Sequence, residues 1–224
     1  MRIFTNISVA ILALGVASSA FAGKDPRFSA TPFLPAVQQK VDDYYSSGQY
    51  NSDVALIVTK AINYLNKRLE QKPNKKLAIV LDIDDTVLSS QPNEKTLSYG
   101  FYMPAWNKWV KNESFPAIKP MLTLDRYAKT HHIALFFITG RHENQRKYTK
   151  GNLDKAGFTY WQHLYMKPMS YKLRSAIPYK TSERKMLTKK GYDIVLSMGD
   201  QYSDLEGGYV EKTFKLPNKM YYIP

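Results

Sequence analysis

Three aspartates crowd the end of an apolar run, Leu77-Ala-Ile-Val-Leu-Asp82-Ile-Asp84-Asp85-Thr86. Carboxylates held together repel one another and resist leaving water, so such a group gathers a cation, and all-oxygen donors favour Mg²⁺ or Ca²⁺. An EF-hand loop starting at Asp82 is excluded, because its sixth place is Val87 and its twelfth Asn93. Two more polar groups follow apolar runs. Thr139-Gly140-Arg141 offers a hydroxyl, a point where a ligand can approach the backbone, and a guanidinium. Gly199-Asp200 to Asp204 adds two acids, and Lys180 stands a short distance before them. Carboxylates would hold the cation, while hydroxyl, amides and ammonium bind a group too negative for the metal alone. Phosphate fits that description.

Bringing these groups together requires strands that end at one edge. Leu77–Leu81 and 133–138 are apolar throughout and 193–198 reads as a third buried strand, as strands covered on both faces of a parallel sheet do, and such sheets place ligands at their carboxyl ends. The intervening segments read as helices, giving an α/β fold. After a Pro-containing entry segment at 23–35, helices are expected at 36–45 and from a cap at Asn51 or Ser52, then at 122–130, at 143–156 closed by Gly157, and at 182–190. Lys180 is placed just before Thr181, the expected cap of the last of these. A shorter strand falls within 158–169, a final one at 213–216, and the apolar tail 220–224 packs on the body.

The stretch between the first strand and the 122–130 helix is dense in aromatics and is placed to cover the site. Trp109 reads as part of that segment's own core, whereas Phe101, Tyr102 and Trp106 are candidates for stacking on a flat organic group. The four histidines show no metal-ligand spacing.

Asp82-x-Asp84-x-Thr86, Thr139, Lys180 and Gly199-Asp200-x-x-x-Asp204 together resemble the haloacid dehalogenase (HAD) superfamily of phosphatases. Val80–Ser90, Thr139-Gly-Arg-x-Glu143-x-x-Arg146, Tyr179-Lys-x-x-x-Arg184-Lys185 and Gly199-Asp-Gln-x-Ser-Asp-Leu205 are similar to its secreted acid phosphatases, a group with vegetative storage proteins and lipoprotein-type 5'-nucleotidases. The resemblance runs from about Phe33 onward. It implies a three-layer α/β/α Rossmannoid domain at 23–224 with a small cap inserted at about 89–121. It also implies an Mg²⁺-dependent phosphomonoesterase in which Asp82 is the nucleophile and Asp84 the general acid and base. Mg²⁺ would be held by Asp82, the Asp84 carbonyl and Asp200, with Asp204 in support. Thr139 and Lys180 would bind the phosphoryl oxygens, joined by the Gly140 amide. Arg141 would either orient the site or form a structural ion pair, with Glu143 as the expected partner. Asp85, where that group often has Glu, is expected to matter little.

Composition sets the remaining bounds. The chain has 224 residues, a formal charge of +13 and no cysteine. Residues 1–22, with Arg2, an apolar stretch and the ending Ala20-Phe-Ala22, read as a secretory signal peptide cleaved after Ala22. Export into a periplasm or the medium is expected, with neither disulfides nor a cysteine-linked lipid anchor. The positive charge suits anionic partners, but no dense basic run with interleaved aromatics marks a nucleic-acid groove. A small phosphomonoester is therefore the expected substrate, nucleoside monophosphates included. The alternatives are phosphotransfer to an alcohol, or a non-catalytic storage or anion-binding protein on the same fold.

Overall fold

In the computed structural model, described for residues 33–71 and 73–223, five parallel strands form one sheet in the order β3-β2-β1-β4-β5. The central strand β1 (Lys76–Leu81) pairs with β2 (Ala134–His142) on one side and β4 (Tyr192–Gly199) on the other. Outside these lie β3 (His163–Lys167) and β5 (Lys212–Lys215). Because β1 is flanked on both sides, its residues from Leu77 on are buried, which explains the unbroken apolar run. The strand order reverses beside β1, where open α/β sheets form their ligand crevice.

Side chains alternate across the sheet. Leu77, Ile79 and Leu81 join Val58 and Leu65 of α2 (Gln49–Glu70), Leu124 of α5 (Lys119–Thr130) and Leu153 of α6 (Arg146–Ala156) in the larger core. Ala78 and Val80 instead meet Tyr179 and Leu187 of α7 (Ile177–Lys189). By the same alternation Asp82 falls on the α7 face, toward Lys180. Each fully buried aliphatic side chain contributes about 1.5–3 kcal/mol, so the register that fixes Asp82 is strongly held.

Several boundaries differ from the sequence expectation. Helix α1 (Leu34–Ser46) ends near the expected place, but α2 starts without Asn51 or Ser52 as a cap. Gly48 at φ 84° turns the chain instead, a conformation glycine adopts without a side-chain clash. α5 starts ahead of Leu122, with Pro120 in its first turn, where a missing N–H costs nothing. Pro178 likewise lies in the first turn of α7, so Lys180 and Thr181 sit inside that helix and Thr181 does not cap it. Thr139, Gly140 and Arg141 continue β2 rather than forming a turn after it, although pairing with β3 is irregular between Thr139 and His142.

Between β1 and α5 the chain forms α3 (Gln91–Thr96) and α4 (Met103–Lys111). Its two ends are stitched together: Ser89 N donates to Pro116 O at 2.8 Å and Ile118 N to Val87 O at 2.9 Å. The expected signal peptide lies outside the described residues. No helix among the described residues is long and apolar enough to cross a membrane.

Candidate active site

Asp82 leaves β1 pointing at α7, and Asp200 and Asp204 arrive from the end of β4 and the short 3-10 turn Tyr202–Asp204 that follows. All three are buried, and one carboxylate oxygen from each lies within 4.8 Å of the others. Gly199 permits this approach, since a Cβ there would run into the Asp204 side chain. Lys180 Nζ donates to Asp82 Oδ1 at 2.6 Å and also to Asp204 Oδ1, and is itself buried.

This crowding dominates the electrostatics. Burial, reinforced by the negative charge of Asp204, pushes the Asp82 carboxyl well above the usual carboxylate range, and Lys180 offsets only part of that. Burial, followed by the charges of Asp204 and Asp85, lifts Asp200 to about 7. Burial disfavours the charged form of Lys180, but Asp204 and Asp82 outweigh it and leave its pKa raised. One ammonium is thus too little charge for three buried acids, and their hard oxygens suit a divalent cation.

Asp84 stands in different surroundings. Arg141 grips it with Nη2 to Oδ1 at 2.6 Å and Nε to Oδ2 at 3.0 Å. The arginine side chain is 1% exposed and that of Asp84 17%. Arg141 is held in turn by Nη1 donating to Thr149 Oγ1 at 3.1 Å and by the faces of Phe115 and Trp106, whose centroids lie 4.8 and 5.6 Å from its guanidinium carbon. The expected Arg141–Glu143 pair does not form; Glu143 pairs with Arg146. Asp84's carboxylate is likewise not part of the three-acid cluster, which leaves its backbone carbonyl as its only candidate metal donor.

A cavity of about 670 Å³ opens over these groups, lined at its floor by Asp82, Asp84, Gly140, Arg141, Lys180, Asp200 and Asp204. Thr139 is fully buried and is not among its lining residues; its Oγ1 accepts the Arg141 N–H at 3.1 Å, which leaves its own hydroxyl proton unassigned to that bond. Of the three candidate aromatics, Phe101 and Trp106 line the cavity. Tyr102, the residue just before α4, is exposed and does not.

Asp85 proves to be more than a neutral neighbour. At φ 52° it turns the chain away from β1, and its buried carboxylate accepts from Ser90 N at 2.9 Å and Tyr221 Oη at 2.6 Å, and from Ser90 Oγ. Burial raises it to about 6 against these donors. Sequence reasoning also passed over Lys167, Arg174, His142 and the tail residues Tyr221, Tyr222 and Ile223, which line the cavity. A lysine in a lysine-rich chain and a tail without charge carry no local signal; only the sheet and the fold of the tail bring them here.

Residues 15–224 match the family model for the HAD superfamily, subfamily IIIB (acid phosphatase). The chain is 38% identical over 189 residues to the stem 28 kDa glycoprotein of Glycine max, covering 81% of this chain and 72% of that protein. It is 32% identical to acid phosphatase 1 of Solanum lycopersicum, over 82% of this chain and 73% of that one. The class C acid phosphatase from Bacillus anthracis shares the fold at a TM-score of 0.72 and 23% identity, covering 84% and 86% of the two chains. With nearly its whole length matched, the chain belongs to the HAD superfamily, subfamily IIIB, a family of acid phosphatases, enzymes that hydrolyse phosphomonoesters.

Proposed function

We propose that the protein is an exported, Mg²⁺-dependent phosphatase for small phosphomonoesters, nucleoside monophosphates among them, acting through a phosphorylated Asp82. One observation carries this reading: Asp82 and Asp84 line the same cavity in opposite electrostatic settings, one among acids and an ammonium, the other on a guanidinium. Asp84, outside the acid cluster and lining the same cavity, is left to exchange a proton with the leaving group and with water.

In the first half-reaction an Asp82 oxygen forms a bond to phosphorus as the ester P–O bond breaks in line, and Asp84, protonated, gives its proton to the departing alkoxide. In the second, water attacks the aspartyl-phosphate, Asp84 takes its proton back, and Asp82 and inorganic phosphate are released. Lys180 neutralises charge on the phosphoryl oxygens, and the amide of Gly140, which lines the same cavity, would serve the same purpose. Asp82, Asp200 and Asp204, with the Asp84 carbonyl, would hold Mg²⁺, which supplies charge to offset repulsion between carboxylate and phosphate. Phe101 and Trp106 offer apolar surface to the leaving group, and Lys167 and Arg174, which share no ion pair with a carboxylate among the described residues, add positive charge on the same wall.

The test is a substrate panel of nucleotides, sugar phosphates and an aryl phosphate with and without Mg²⁺, on wild type and Asp82→Asn. Chelation should abolish turnover, Mg²⁺ should restore it, and Asp82→Asn should be inert. Turnover that survives either change rejects the mechanism. A correctly folded wild type that hydrolyses nothing favours the storage alternative, and sugar phosphates outrunning every nucleotide reject the substrate preference.

A further inference from the structure

The tail after β5 reaches back to the acids through a connected set of hydrogen bonds. Asn218 Nδ2 donates to Asp200 Oδ2 at 2.7 Å, and Gln201 Nε2 donates to the same oxygen at 2.6 Å. Each carboxamide has its orientation fixed from its other end. Asn218 Oδ1 accepts from Met220 N at 2.8 Å, and Gln201 Oε1 accepts from Ile223 N at 2.9 Å. A backbone N–H can only donate, so neither carboxamide can flip without opposing two donors or two acceptors, and both must present N–H to Asp200. Tyr221, between these contacts, is anchored separately on Asp85.

The two oxygens of Asp200 are therefore unequal. Two N–H groups occupy the lone pairs of Oδ2, whereas among the described residues Oδ1 accepts only from Thr86 Oγ1, at 3.2 Å. We propose that residues 218–223 are a clamp that fixes the rotation of Asp200 and directs its Oδ1 to the bound cation, with Asn218 and Gln201 as positioning residues. This rests on the reading that the acid cluster holds a divalent cation. The clamp ties cation affinity to a segment far along the chain from the three-acid motif. Partners of this kind around a metal ligand are typically worth about 10–100-fold in affinity.

The experiment measures thermal unfolding of the metal-free full chain against Mg²⁺ concentration, without substrate, because a cation bound only by the folded state raises the transition with the logarithm of its concentration relative to its Kd. Wild type should shift upward and Asp200→Asn should not. Asn218→Ala should need about 10–100-fold more Mg²⁺ for the same shift. Gln201→Met, which removes the second donor by an independent route, should behave alike and decides the matter if Asn218→Ala fails to fold. A merely structural tail would lower the metal-free transition and leave the Mg²⁺ requirement unchanged. That result, with wild type and Asp200→Asn behaving as expected, overturns the clamp alone. A wild type that ignores Mg²⁺, or an Asp200→Asn variant that responds normally, overturns the cation reading and the clamp with it.

Discussion

Arg141 grips Asp84 through two guanidinium nitrogens, at 2.6 Å to Oδ1 and 3.0 Å to Oδ2, while Phe115 and Trp106 hold the guanidinium from its faces. An acid that must pass a proton to a leaving group and recover it from water needs a fixed direction. Arg141→Ala should therefore lower kcat by about 100-fold for alkyl phosphates, whose leaving groups require protonation, and far less for an aryl phosphate with an acidic leaving group. Arg141→Lys should not rescue it, since an ammonium cannot reproduce the two-pronged contact. Steady-state kinetics with a series of leaving groups checks both expectations; equal losses across the series would assign Arg141 to binding instead.

Lys180 lies between Asp82 and Asp204 with its side chain 5% exposed. Lys180→Met leaves two buried carboxylates without their cation and should cost about 3–5 kcal/mol in the metal-free protein. Mg²⁺ should recover part of that stability but little turnover, because the phosphoryl donor stays missing. Denaturant unfolding with and without Mg²⁺ measures the first effect, and single-turnover kinetics the second.

Asp85 and Asp200, raised by burial to about 6 and about 7, and Asp82, also raised, bind protons in the folded state that the unfolded chain releases near pH 4. Between those limits the folded state holds more protons, so stability falls as pH rises. The contribution of these acids is full below the unfolded value and is lost as pH passes through about 6 to 7. The metal-free protein should thus melt at a higher temperature at pH 5 than at pH 8. Mg²⁺, which competes with those protons, should flatten the dependence. Differential scanning calorimetry across that range, with and without the cation, gives the comparison.

The parts of this site that were legible in the sequence share a physical origin. Asp82 and Asp200 follow β1 and β4, whose apolar runs display their own ends, and Lys180 reaches Asp82 from α7. What stayed hidden depends on side-chain direction and on contacts distant along the chain. Nothing near Arg141 signals that its partner is Asp84, in the turn after the neighbouring strand, rather than Glu143 two residues on. Thr139 reads as the end of its strand, yet β2 runs past it and its side chain is fully buried. Asn218 just precedes and Tyr221 lies within a short apolar tail without periodicity, and only its return to the ends of β4 and β1 gives them Asp200 and Asp85 as partners.

Lys167, at the end of β3, is half-buried and carries its charge into the cavity wall, where burial and the nearby Lys180 lower its pKa. Lys167→Gln should raise KM for anionic substrates roughly tenfold, at the scale of a charge-assisted hydrogen bond, and leave kcat nearly unchanged. A salt titration of kcat/KM should show a weaker dependence than in wild type.

The central claim is that phosphate passes through a covalent bond to Asp82. Mixing enzyme, Mg²⁺ and a fast aryl phosphate, quenching in acid within a turnover, and mapping peptides by mass spectrometry tests it directly. The expected result is one phosphoryl group on the peptide that carries Asp82, absent in Asp82→Asn and accumulating when Asp84→Asn slows hydrolysis of the intermediate. Phosphate released at full rate with no adduct on that peptide, or an adduct on any other residue, would contradict the account.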